Sequence, residues 1–151
     1  MSVISWGKPL VEIADSVDGA AGTTFTALPA IKKDTALLTP TEGEETTALG
    51  EGSELIDSRF APTTYDFECQ TFVKKGDTAF PLSDTDGVVE GYKTVRLTPE
   101  DTTNEGFIMD VTKVQVSTTW SSAEGKLIKC SFKGIKPASG NTVKPYTAPI
   151  D

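Results

Sequence analysis

Between residues 63 and 73 apolar and polar side chains alternate more cleanly than anywhere else in the chain. Tyr65, Phe67, Cys69, Thr71 and Val73 fall on one side, and Asp66, Glu68, Gln70 and Lys74 on the other. Only an extended chain, whose successive side chains point to opposite faces, turns that order into one dry face and one wet face. The segment therefore predicts a half-buried strand of an antiparallel sheet. The same period of two sets Val11 and Ile13 against Leu10, Glu12 and Ala14 in residues 8–15. It also sets Ile128, Cys130 and Phe132 against Lys129, Ser131 and Lys133 in residues 126–135. No stretch carries the i, i+3, i+4 apolar spacing of a long amphipathic helix.

Turn signals recur at intervals of about 8 to 15 residues, as in all-β sandwiches and barrels. Residues 17–23 form a turn around Gly19 and Gly22, and a strand over 24–28 stops at Pro29. A short strand over 35–39 ends at Pro40, which removes a ladder donor. Further turns fall at 74–77 and 83–87, flanking an apolar anchor at Phe80, Pro81 and Leu82, and a strand runs over 88–98. Residues 106–120 put Phe107, Met109 and Val111 in one phase and Val114, Val116 and Thr118 in the other. One strand can hold both sets only if a β-bulge or a bend near Thr112 switches its faces. After a turn at 123–125 and the strand over 126–135, a tail over 136–151 with three prolines runs extended. The expected fold is all-β: an antiparallel sandwich or half-barrel forming one domain over residues 1–151, with a long acidic arm or loop over about 40–53 and extended termini.

The arm is the one departure from that framework. Residues 37–57, LLTPTEGEETTALGEGSELID, are polar, acidic and rich in Gly and Thr. Thr39 with Glu42 has the form of a helix start, but Gly43 and the Thr46-Thr47 pair argue against propagation. A hairpin fits better, with strands near 44–49 and 54–60 joined through Gly50 and Gly52. Excursions of this length inside a compact domain are uncommon and belong to function or to disorder. The predicted subunit interface is Pro40, Thr41, Glu42, Gly43, Glu44, Glu45, Leu49, Gly50, Glu51 and Gly52.

Composition excludes several chemistries. The chain has no histidine and two cysteines, Cys69 and Cys130, each in an alternating strand on its apolar side. Ser-His-Asp and Cys-His mechanisms are ruled out, a transition-metal site lacks ligands, and the cysteines read as buried thiols rather than a disulfide. With 22 acidic residues against 14 basic, the formal charge of −8 repels phosphate backbones and anionic lipid, so neither sequence-specific DNA binding nor a membrane partner is expected. A repelling wall nonetheless lets DNA slide past without sticking. The first residues, MSVISWGKPLVEIAD, lack the pattern of a signal peptide, so the chain reads as made and kept in a cytoplasm.

Three constellations have plain explanations. Asp84, Thr85, Asp86 and Gly87, with Glu90, form a partial calcium-loop pattern, but Asp-Gly is also a common hairpin turn. Asp66 and Glu68 share a strand face at about 7 Å, a spacing a glycosidase could use and a solvated strand face also shows. Trp6, Tyr92 and Trp120 could stack on a sugar, or cover a core edge or a subunit contact. No catalytic residue and no cofactor or metal site is assigned.

Nearly the whole chain resembles a family of tail proteins of phages and prophages of Bacteroidetes-type bacteria, and more distantly tail tube proteins. The residues that carry the likeness are Gly7-Lys8-Pro9 with Glu12-Ile13, Leu38-Thr39-Pro40-Thr41-Glu42-Gly43 and Asp86-Gly87-Val88-Val89-Glu90-Gly91. To these add Val95-Arg96-Leu97-Thr98-Pro99-Glu100-Asp101, and residues 127–146 with their Lys136-Pro137-Ala138-Ser139-Gly140. The resemblance implies a non-enzymatic tail tube subunit whose inner sheet joins those of its neighbours into a ring, usually hexameric, with rings stacked into a conduit for genomic DNA. It implies contacts with other copies through the arm and termini, contacts with other tail proteins, assembly in the host cytoplasm and residence in the virion tail. Tube proteins of this kind commonly add a helix against the sheet, and no strong helix is legible here. The alternative from another class is a monomeric carbohydrate-binding or adhesion module.

Overall fold

The structure, a computed structural model, describes residues 7–29, 31–32, 35–73, 82 and 84–147. Among them there is no helix. The strands are β1 (Leu10–Asp15), β2 (Thr26–Ala27), β3 (Leu37–Thr41), β4 (Glu45–Leu49), β5 (Leu55–Phe60) and β6 (Thr64–Phe72). They continue with β7 (Asp84–Thr85), β8 (Val88–Val89), β9 (Lys93–Thr98), β10 (Gly106–Ser121), β11 (Gly125–Gly134) and β12 (Lys144–Tyr146). All pairings are antiparallel, so the protein is all-β, as its alternation predicts.

The sheet is built around the 16-residue strand β10. Phe107 pairs with Leu97 of β9 on one flank and Pro145 of β12 on the other, Thr112 with Lys93 and Gly134, and Gln115 with Val88 and Ser131. Thus β9 and β8 follow one another along one flank of β10, and β12 and β11 along the other. The order from end to end is β2, β1, β9, β10, β11, β6, β3. A register shift between Met109 and Thr112 marks the switch of faces expected near Thr112. Because of it, Met109 enters the same core as Val114 and Val116 despite its opposite parity.

The ends of this sheet return towards one another. Ala27 lies at one end, paired with Glu12, while Ile31 is bridged to Thr71 at the other. The short chain between them reaches at most about 14 Å, whereas six strand spacings laid flat span about 29 Å. A curled sheet satisfies both, and residues of β1 and β6 meet in one core: Val11, Ile13, Phe67, Cys69, Val95, Met109, Cys130 and Phe132. Phe67 stands at the centre, edge-on to Phe107 at 5.3 Å and tilted against Phe132 at 5.8 Å.

Buried polar side chains cluster around the bulge. Thr94 Oγ1 donates to the Asp110 carbonyl at 2.6 Å and accepts the Gly22 N–H at 3.0 Å, and Thr112 Oγ1 donates to the Lys93 carbonyl at 2.7 Å. Every buried side-chain polar atom among the described residues has a partner, which removes the penalty of taking these hydroxyls out of water. Lys144 reaches the Asp110 carboxylate and the Ser139 carbonyl, and Arg96, paired with Glu12 at 3.0 Å, lies over Phe25 at 3.6 Å and Tyr146 at 5.1 Å. These contacts hold β12 on the sheet.

Several boundaries differ from the sequence expectation. Pro40 does not end its strand; it pairs with Tyr65 inside β3. The Lys32 N–H to Gln70 carbonyl bond shows that β6 turns the backbone groups of Gln70, and by period two those of Glu68, Asp66 and Thr64, towards β3. Their partners are Leu37, Thr39 and Thr41, so the nitrogen of Pro40 faces the open edge, where no donor is required. The strand expected over 88–98 is broken at Gly91, which has φ +75°, into β8 and β9. The tail expected to run extended forms β12, and Val73 and Thr118, assigned inward, are exposed. The Asp18-Gly19 and Asp86-Gly87 turns both have positive φ at their two central residues, the geometry of tight hairpin turns. The turn placed at 74–77, the anchor residues Phe80 and Pro81, and Ser83 lie outside the described residues; Leu82 is in the core.

The two thiols face each other across β6 and β11, fully buried and free. The Val73 N–H to Lys126 carbonyl bond places Cys69 and Cys130, by period two, at a hydrogen-bonded position, where Cα atoms are about 5.5 Å apart. That is the wider of the two cross-strand spacings, and a disulfide needs Cβ atoms within about 3.5–4.5 Å. The side-chain hydrogen bond to Cys130 comes first, then burial, then the charge of Cys130, in holding the Cys69 thiol well above the usual range. The folded protein thus keeps a proton that the unfolded chain loses above about pH 8.5. Stability from this group is complete below that pH and falls by up to about 1.4 kcal/mol per pH unit above it. Denaturant titrations at pH 8 and pH 10 are expected to show this loss in the parent and a smaller loss in Cys69→Ala. Equal losses in the two proteins would show that the thiol does not contribute.

Candidate interaction surface

The arm is a hairpin of β4 and β5 that forms a sheet of its own. It continues the β3–β6 pairing: Thr41 faces Thr64, and after a break at Glu42, Gly43 and Glu44 the ladder resumes with Glu45 facing Phe60. Pro62 has no N–H to give in that break. A Cβ on Gly43 would collide with the backbone carbonyl of Ala61, so only glycine permits the approach there. Past this root β5 extends about 20 Å, and the tip closes through hydrogen bonds from the Gly50 N–H to the Glu54 carbonyl and from the Ser53 N–H to the Gly50 carbonyl.

Directly opposed residues share a face. One face of the arm carries Glu45, Thr47 and Leu49 of β4 with Ser58 and Phe60 of β5, and Ser58 Oγ donates to Glu45 Oε1 at 2.9 Å across it. The other carries Thr46, Ala48, Asp57 and Arg59. Ile56 is the extra residue where the register shifts between Ala48 and Leu49. The apolar side chains are uncovered: Leu49 is 60% exposed, Leu55 61%, Ile56 65% and Phe60 71%. A patch of this kind on a two-stranded ribbon is costly to leave in water, and a two-stranded hairpin is by itself marginally stable. Residues 42–60 also hold six carboxylates against Arg59 alone, which is −5 of the chain's formal −8.

The structure distributes the predicted interface residues unevenly. Pro40 and Thr41 belong to β3, Glu42, Gly43 and Glu44 form the root, Glu45 and Leu49 lie in β4, and Gly50, Glu51 and Gly52 form the tip. Sequence reasoning missed the apolar residues of β5, because Leu55, Ile56 and Phe60 have the character of ordinary core side chains. A signal was present: Leu55-Ile56 breaks the alternation, as the bulge requires.

The remaining constellations stay apart or are satisfied locally. Asp84 Oδ2 accepts the Gly87 N–H at 2.9 Å, so this carboxylate builds the turn. No group of three or more His, Cys, Asp or Glu among the described residues could hold a metal ion. Glu68 pairs with Lys129 at 3.4 Å, and Asp66 faces Lys133 across the ladder. Trp120 is 72% exposed at the far end of β10, and Tyr92 carries Lys113 over its ring at 5.0 Å. Lys113 and Trp120 lie about 23 Å apart along the strand, so the two aromatics form no common platform; Trp6 lies outside the described residues. A cleft of about 360 Å³ beside β1, lined by Ile13, Asp15, Val17, Thr24, Thr26 and Lys93, has its two charges paired with each other. No family model matches the chain, and no curated protein matches it.

Proposed function

We propose that the protein is a non-enzymatic structural subunit that assembles with copies of itself through the β4–β5 arm, and that the assembly is the tail tube of a phage or prophage. The observation that carries self-assembly is the uncovered apolar side of the arm, held on a ribbon that has no packing of its own. The tail tube is the form of assembly indicated by the family resemblance, with rings, usually hexameric, stacked around a lumen. An acidic subunit suits a conduit that DNA must traverse without binding. Other tail proteins would meet the ends of such a tube.

Negative-stain electron microscopy over a concentration series tests the proposal. Rings or tubes of uniform diameter are the expected result. Isolated particles at every concentration up to about 1 mM would overturn it, since an interface unable to associate there supplies less than about 4 kcal/mol.

A further inference from the structure

The outer edge of β5 is complementary to itself. The Ala61 N–H to Glu44 carbonyl bond fixes which backbone groups of β5 face β4: those of Ala61 and, by period two, Arg59 and Asp57. The N–H and C=O of Ser58 and Phe60 therefore face outward. In agreement, the Ser58 N–H is occupied only by the carboxylate of the preceding residue, Asp57 Oδ1, at 2.8 Å. Two β5 strands laid antiparallel about Ser58 set Ser58 against Ser58 in a hydrogen-bonded pair. Asp57 then stands opposite Arg59 of the second copy and Ile56 opposite its Phe60, each twice by symmetry. The charged pairs fall in the non-hydrogen-bonded positions, where side chains approach most closely. Within one copy neither Asp57 nor Arg59 has an ion pair among the described residues.

We infer that the unassembled protein is a two-fold dimer joined edge to edge through β5, giving a four-stranded sheet β4, β5, β5, β4. Four strands pass the size at which a sheet becomes stable on its own, which a single hairpin does not. The edge of β5 has neither Pro nor Lys, whereas the open edge of β3 presents Pro40, and the charges β5 does carry, Asp57 and Arg59, are complementary in the antiparallel pair. The inference rests on the reading of the arm as a surface for a second copy. A two-fold contact is closed, whereas stacked rings need head-to-tail contacts, so the dimer is a form that opens when larger assemblies grow.

Analytical ultracentrifugation of the full chain, with Asp57→Arg, Arg59→Asp and Ser58→Pro, tests it. The parent is expected to dimerise at micromolar concentration. Each charge reversal places like charges together twice and weakens the dimer by at least about tenfold, and Ser58→Pro abolishes it by removing the central donor. An equimolar mixture of Asp57→Arg and Arg59→Asp recovers a heterodimer, because both cross-strand pairs become opposite in charge again. A parent that stays monomeric to about 100 μM, or reversals that leave the dimer unchanged, would overturn the inference. The micrographs of the same proteins separate the two claims: assemblies without a dimer retain the proposed function and reject the dimer, and a dimer without assemblies does the reverse.

Discussion

Removal of residues 42–63, with Thr41 joined to Thr64 through Asn-Gly, is expected to yield a folded protein that builds no assembly. Thr41 and Thr64 are paired across the ladder, at the last hydrogen-bonded position before the break. A two-residue turn closes that geometry, and Asn-Gly supplies the positive φ values it requires. None of the excised residues belongs to the hydrophobic core. Unfolding in urea should therefore stay cooperative, with stability changed by no more than about 1 kcal/mol. Loss of rings or tubes beside an intact core isolates the arm as the interface. Intact assembly would reject that role, and loss of folding would show that the arm supports the core after all.

Phe132→Ala is expected to cost about 3–5 kcal/mol, a large share of the roughly 5–15 kcal/mol that holds a domain together. Phe132 is fully buried, lies at 5.8 Å from Phe67, and connects β11 to the same cluster as Val95 and Met109. Its removal opens a cavity where the curled sheet closes, and the backbone ladders on both sides of β11 keep neighbours from filling it. The urea midpoint measures the loss. Phe60→Ala, unfolded at concentrations where the chain is monomeric, is the control, since Phe60 is then uncovered and should change stability by less than about 0.5 kcal/mol. Similar losses in the two variants would mean that the arm is packed and that the division into core and arm is mistaken.

Much of the fold was legible in the alternation. The inward sets of β6 and β11, the face switch in β10, the tight turns at Asp18-Gly19 and Asp86-Gly87, and the arm hairpin all lie where the period of two and the turn residues put them. Local rules determine these features, because side-chain direction and allowed φ are properties of neighbouring residues. Pro40 shows where such rules stop. Proline ends a strand that needs its N–H, and only pairing determines whether that nitrogen faces a neighbour or an open edge. The break at Gly91 and the docking of β12 also depend on distant partners, among them Asp110 for Lys144 and Arg96 for Tyr146.

The candidate surface divides in the same way. The sequence by itself determined that residues 42–54 would be acidic, turn-rich and outside the framework, and that histidine-dependent and transition-metal chemistry would lack its ligands. Only the tertiary structure decided that Leu49, Leu55, Ile56 and Phe60 are uncovered, because apolar character says that a side chain gains by leaving water but not what will cover it. Burial is a property of how the sheet curls, and the curl leaves this ribbon outside.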